Sequence, residues 1–305
     1  MSDGHDHGHD HHGHGHGHSH APASFDRAFA IGVALNVAFV VAEAVYGFTA
    51  DSLALLADAG HNAADVLGLL LAWAAAWATR RPTSAGFTYG WRRSSIMASL
   101  VNAVLLLAAV GVIVVEAVQR LFAPEPVATG TVMVVAALGI LVNGATAWLF
   151  ARGRKGDLNI RSAFQHFAAD AAVSAGVVVA ALAMRQTGWL WIDPVVAIAV
   201  GAVIAVAGWG TLRESLRLSL DAVPDGIDCA AIETYLRALP GVEAVHHLHV
   251  WPTSTTEVAL TAHLVVPEPG PHDALLGRVA HDLRHDHGIA HPTIQVEADA
   301  AACAG

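Results

Sequence analysis

The chain is 305 residues long, 54% hydrophobic and 14% charged, against about 25% charged in an ordinary soluble domain. Its formal net charge is −10, and from Asp221 onward twelve Asp/Glu stand against only Arg237, Arg278 and Arg284. That balance excludes a wholly water-facing fold, and without a basic stripe it excludes a nucleic-acid partner while favouring cations.

The chain opens with nine histidines alternating with Gly and Asp: His5, His7, His9, His11, His12, His14, His16, His18 and His20. Such a stretch buries too little apolar area to offset its ordering entropy, so residues 1–24 are expected to form a disordered tail. An expression tag is the bland explanation, but the alternation with Gly and Asp favours a loose, multi-site metal-capturing tail. No basic stretch followed by an apolar core and a cleavage site is present, so no signal peptide is expected. The two cysteines, Cys229 and Cys303, make no disulfide framework, which fits a reducing compartment.

Six apolar segments follow, near 28–48, 53–78, 94–121, 128–150, 162–184 and 190–211. Each approaches the ~20 residues needed to cross about 30 Å of hydrocarbon. They predict an all-α six-helix transmembrane bundle over residues 25–215. Arg27, Arg80, Arg81, Arg92, Arg93, Arg152, Arg154, Lys155, Arg161, Arg213 and Arg217 fall on one side of it, and only Arg120 and Arg185 on the other. Positive charge gathers on the cytoplasmic side, so both termini are expected there.

After Pro224 the pattern becomes that of a small soluble domain, residues 216–300. Cys229 to Leu239 reads as a helix, Ala244 to Trp251 and Glu257 to Val266 as strands, His272 to His285 as a helix, and Thr293 to Glu297 as a last strand. This α-β-β-α-β order predicts a cytosolic α+β ferredoxin-like module on a small antiparallel sheet.

Ionisable residues inside the apolar segments are the informative ones, because each costs a few kcal/mol at mid-bilayer. The second segment holds Asp58, His61 and Asp65; the fifth holds His166 and Asp170. At about 100° per residue, each His-x-x-x-Asp pair lies within roughly 40° on one helix face. Two such faces meeting would surround one point with two imidazoles and two carboxylates, a donor set suited to tetrahedral Zn²⁺. Asp58, a turn outside the first pair, is either an accessory ligand or a helix-packing partner. Glu43, Asn36, Asn102 and Asn143 are expected to line the same polar interior through packing or interhelical hydrogen bonds. Glu116 and Asp193 lie toward helix ends, where solvent contact is expected.

In the soluble domain His246, His247 and His249 occupy the first strand, His263 the second, and His291 with Glu297 the last segment. Strand alternation would point His247 and His249 together and His246 the other way. Acceptor-capable residues on adjacent elements suggest a second metal site.

The run Ser52-Leu53-Ala54-Leu55-Leu56-Ala57-Asp58-Ala59-Gly60-His61-Asn62-Ala63-Ala64-Asp65 resembles the second helix of the cation diffusion facilitator family, and His166-Phe167-Ala168-Ala169-Asp170 its fifth. Trp191-Ile192-Asp193-Pro194, His246-His247-Leu248-His249-Val250-Trp251 and Thr293-Ile294-Gln295-Val296-Glu297 resemble later family segments. The His/Asp form of both motifs is similar to the zinc-transporting branch. The resemblance implies Zn²⁺/H⁺ antiport by a homodimer in the bilayer, with His61, Asp65, His166 and Asp170 as transport site. It further implies Zn²⁺ bound by His246, His263, His291 and Glu297, no organic cofactor, and a basic–acidic interlock, here Arg93 with Asp221. Thr79 to Ser95 contains no His, Asp or Glu, so the further loop site of some relatives is not expected. A membrane-anchored zinc sensor or store is the alternative. An intramembrane metallohydrolase is disfavoured, since no H-E-x-x-H occurs.

Overall fold

The structure, a computed structural model, describes residues 27–151 and 158–299. The histidine tail, Arg152, Arg154, Lys155 and Cys303 lie outside the described residues.

Six long helices come first: α1 (Arg27–Ala50), α2 (Leu53–Thr79), α3 (Ser94–Phe122), α4 (Thr129–Phe150), α5 (Leu158–Thr187) and α6 (Ile192–Ser219). Five of them, α2 to α6, have described stretches long and apolar enough to cross a membrane; the corresponding part of α1 is the shorter Asn36–Ala50. Large apolar side chains face outward along the bundle, among them Val112, Val203, Val206 and Leu141. Their contiguous exposure would be strongly unfavourable in water and is the normal exterior of a helix bundle in lipid.

The α1–α2 turn shows how the sequence sets the ends. Asp51 takes a left-handed φ of 58°, and Ser52 caps α2 by accepting the Leu55 N–H. Arg120 holds this turn, donating to the Asp51 carbonyl at 2.6 Å and its carboxylate at 2.8 Å. Leu53, Leu55, Val132, Val135, Val177 and Met184 form an apolar plug at this end.

Within the bundle α4 packs broadly on α5, and α3 on α6, whereas α2 and α5 meet only narrowly. Gly139 permits the α4–α5 approach: a Cβ there would stand 2.9 Å from Ser174 Oγ.

The C-terminal domain follows the predicted order: α7 (Cys229–Arg237), β1 (Ala244–Pro252), β2 (Val258–Val265), α8 (Asp273–His285) and β3 (His291–Glu297). Asp228 caps α7 by accepting the Ala230 and Ala231 N–H groups. The sheet runs β1-β2-β3, with β1 antiparallel to β2 but β2 parallel to β3. It is therefore mixed rather than antiparallel, because α8 serves as a crossover returning the chain to the start of β2. Ile232, Leu236, Leu260, Leu264, Val279 and Leu283 form its core.

The domain meets the bundle at the α2–α3 end. Arg92 pairs with Glu257, the Thr255 N–H donates to Ser95 Oγ at 3.1 Å, and Arg93 pairs with Asp221.

Candidate metal centre

Helical spacing carries His61 and Asp65 to one face of α2, and His166 and Asp170 to one face of α5. The two faces meet. His61 Nε2 lies 3.7 Å from Asp65 Oδ2 and 3.4 Å from Asp170 Oδ1. His166 Nε2 lies 3.5 Å from both Asp65 Oδ2 and Asp170 Oδ2. Imidazole and carboxylate thus alternate around a ring, with one donor atom from each residue within 4.8 Å of the others. Tetrahedral donors about 2.0–2.1 Å from a metal stand roughly 3.3 Å apart, close to these separations. The contacts are longer than good N–H···O hydrogen bonds, and Asp65 Oδ2 is shielded from solvent with no hydrogen-bond partner. The donor set and its spacing fit a small divalent cation.

Access is one-sided. Along α2, side-chain exposure falls from 36% at Asp65 to 21% at His61, and Asp58 has none. Along α5 it falls from 41% at His166 to 5% at Asp170, and Ser174 has none. The centre opens toward the C-terminal domain and is closed on the other side by Asp58, Ser174 and the apolar plug.

Asp58 lies outside the ring and accepts a hydrogen bond from Ser174 Oγ at 2.9 Å, linking α2 to α5. Glu43 is buried on α1 and accepts from Asn62 Nδ2 at 2.9 Å. Asn143 is buried on α4. Glu116 is about half exposed beside Arg120. Asp193 overturns its expectation: it has no exposed surface. Its carboxylate accepts from Ser52 Oγ at 2.5 Å and from the Leu53 N–H at 2.7 Å, so it caps α2 from α6.

In the C-terminal domain Glu297 sits between two imidazoles, 2.7 Å from His263 Nδ1 and 3.1 Å from His246 Nε2. Cross-strand register sets this geometry, with His246 opposite His263 and Glu297 opposite Val265. A bulge between His246 and His249 puts His247 at φ 49° and breaks the strand alternation. His247 therefore joins His246 and His263, its ring 5.2 and 5.1 Å from theirs, instead of facing away from His246. Two nitrogens and a nearly buried carboxylate fit a cation here too.

His291 is not part of this group. It starts β3 while Glu297 ends it, and its Nε2 lies 3.0 Å from Arg92 Nη1 and 3.5 Å from Glu257 Oε2. Burial, then Arg92 and Arg284, hold its pKa below the ordinary histidine value. The Arg92–Glu257–His291 cluster and the Asp193 cap are what the sequence reading missed. The Asp-Pro start of the sixth segment was the one local sign of the cap.

A membrane-length bundle with a one-sided nitrogen and oxygen centre defines a protein that handles cations within the bilayer. Residues 29–218 match the family model described as the cation efflux transmembrane domain, and residues 224–299 that of the cation efflux protein cytoplasmic domain. The chain is 38% identical over 271 residues to the zinc transporter ZitB of Escherichia coli, covering 88% of this chain and 86% of that protein. It is 35% identical over 277 residues to the metal cation efflux system protein CzcD of Cupriavidus metallidurans, covering 90% and 88%. It is 31% identical over 279 residues to the cadmium, cobalt and zinc/H(+)-K(+) antiporter of Bacillus subtilis, covering 90% and 89%. The chain belongs to the cation diffusion facilitator, or cation efflux, family of integral membrane transporters.

Proposed function

We propose that the chain exports Zn²⁺ from the cytoplasm in exchange for protons, with His61, Asp65, His166 and Asp170 as the transport site. The observation that carries this reading is the alternating imidazole–carboxylate ring, open toward one end of the bundle and sealed toward the other. Zn²⁺ needs neutral imidazoles and ionised carboxylates, so metal and protons compete for the same four groups. Open to the cytoplasm, the ring loads metal and sheds protons. Rocking of α5 against α2 exposes it to the other side, where protons help displace the metal. The inward proton gradient then drives export.

In this reading both termini are cytoplasmic and the protein works as a homodimer in the bacterial inner membrane. His246, His263 and Glu297 hold a resident Zn²⁺, Glu297 neutralising one of its two charges, and the ion's position fixes β1, β2 and β3 together. The tail histidines raise the local metal concentration, and Arg93 with Asp221 transmits movement of the C-terminal domain. The names of the relatives, zinc transporter and zinc/H(+)-K(+) antiporter, support cargo and exchange.

The deciding experiment is Zn²⁺ uptake into inside-out vesicles with and without a pH gradient. Uptake that rises when the lumen is acidic is expected. Saturable binding with no uptake would establish the zinc sensor or store instead.

A further inference from the structure

On the sealed side of the ring two more carboxyl groups meet. Glu43 comes from α1 and Asp58 from α2, and neither residue has exposed surface. The two carboxyls lie close enough to act on one another directly. Each has one oxygen engaged, Glu43 Oε2 by Asn62 and Asp58 Oδ2 by Ser174. The others, Glu43 Oε1 and Asp58 Oδ1, are shielded from solvent and accept no hydrogen bond from a neighbouring donor.

The groups acting on this pair are few. His61 lies on α2 and Asp170 on α5; Asp65 and His166 are a turn further toward the opening. The α4 sequence contains no ionisable residue, and Asp193 on α6 is engaged with Ser52 and Leu53. Two ionised carboxylates in contact repel strongly where water is excluded, and one proton between them removes the repulsion. The same proton turns one of the two unpartnered oxygens into a donor and satisfies the other.

We propose that Glu43 and Asp58 share one proton, and that this pair is a proton-binding site for exchange, separate from the metal ligands. The proposal rests on the exchange reading above. Asp58 lies three residues, less than one helical turn, from His61. A dication arriving in the ring therefore makes the potential at the pair more positive and favours loss of its proton. The O–H bond of one carboxyl breaks, both groups become carboxylates, and the proton leaves to water on the open side. When the metal departs, the pair takes up a proton again, so each transport cycle carries this proton opposite to the metal.

The test counts protons released per Zn²⁺ bound by the purified full-length protein, wild type against Glu43→Gln and Asp58→Asn. Protons from the tail and C-terminal domain are common to all and cancel in the comparison. Both variants are expected to bind Zn²⁺ with wild-type stoichiometry and to release about one proton fewer. Release equal to wild type from a zinc-binding variant would overturn the proposal. Asp170→Ala separates it from the broader reading, since loss of transmembrane zinc binding is expected there. Infrared spectroscopy provides a readout that does not need those variants to fold. In the wild type a protonated-carboxyl C=O band should vanish on Zn²⁺ addition, and Glu43→Asp, which keeps the carboxyl, should shift it. A wild-type spectrum without a zinc-sensitive band of this kind would also overturn the proposal.

Discussion

The Arg93 guanidinium and the Asp221 carboxylate pair across the junction, joining the N-cap of α3 to the chain just past α6. Asp221 occupies the left-handed position of the α6 terminus at φ 60°. Its N–H reaches the Leu218 carbonyl, and that of Ala222 reaches Arg217, which is the Schellman pattern. Glycine would fit this position with less backbone strain. The aspartate contributes instead its carboxylate, fixed by the backbone in front of Arg93.

The pair's two functions can be separated by substitution. Asp221→Gly should leave thermal stability within about 1 kcal/mol of wild type, since an exposed pair contributes little and backbone strain is relieved. If the pair couples the domains, transport should nonetheless fall. Arg93→Asp and Asp221→Arg should each impair flux, and the double reversal should restore part of it. Normal flux from both single reversals would rule the coupling out.

Asp65→Ala and Asp170→Ala should each abolish zinc flux in proteoliposomes while the protein stays folded and membrane-inserted. Asp170 touches both imidazoles of the ring, so its loss removes a ligand and a needed negative charge. Wild-type flux from either purified variant would remove these residues from the transport site.

Metal choice should follow His61. Two nitrogens and two oxygens in a tetrahedral set favour Zn²⁺, whereas a third carboxylate makes the site harder and less strict. Wild type should carry Zn²⁺ well and Cd²⁺ poorly, and His61→Asp should gain Cd²⁺ flux. Paired flux measurements at matched free-metal concentrations give the ratio; an unchanged ratio in an active variant would show that His61 does not set selectivity.

Asp193→Ala should destabilise the bundle by about 1–3 kcal/mol, because it strips buried donors of their acceptor. Ser52 Oγ and the Leu53 N–H lose their partner together. Thermal unfolding in detergent measures the loss, and Asp193→Asn, which retains an acceptor oxygen, should recover part of it. No change on removing the carboxylate would contradict the cap.

Docking of the C-terminal domain on the bundle should weaken in acid. His291 is held below its ordinary value of 6.5 by burial and by Arg92 and Arg284; Glu257 also faces it, at 3.5 Å. The docked state therefore binds fewer protons than the undocked one, so contact strengthens as pH rises and weakens as pH falls through about 6.5. Hydrogen exchange across residues 88–95 and 255–258 should quicken at pH 5.5 relative to 7.5, after correction for intrinsic rates. His291→Gln should flatten that difference, and a full pH response in the variant would assign it to another group.

The features legible in the sequence are those governed by local periodicity. Apolar length gave the helices to within a few residues at most ends, and the four-residue spacing of His61/Asp65 and His166/Asp170 foretold one face on each of two helices. What was not legible depends on partners distant in sequence. Asp193 looked solvent-facing because its partner Ser52 is 141 residues away. His291 looked like a ligand because the register that separates it from Glu297, and the approach of Arg92, are tertiary. The direction of β3 depended on where α8 delivers the chain, and the position of His247 on a single bulge.

The thin contact between α2 and α5 has a mechanical consequence. Much of what crosses it is polar: His61 with Asp170, His166 with Asp65, and Ser174 with Asp58. An apolar interface resists parting in proportion to its area, but polar links can trade partners with water at small net cost. The metal-free bundle therefore has a wettable suture between α2 and α5, and a bound dication is a stitch through it. Cargo would stiffen the very seam along which the helices must part, so release on the far side requires the stitch to be cut before the bundle can reset.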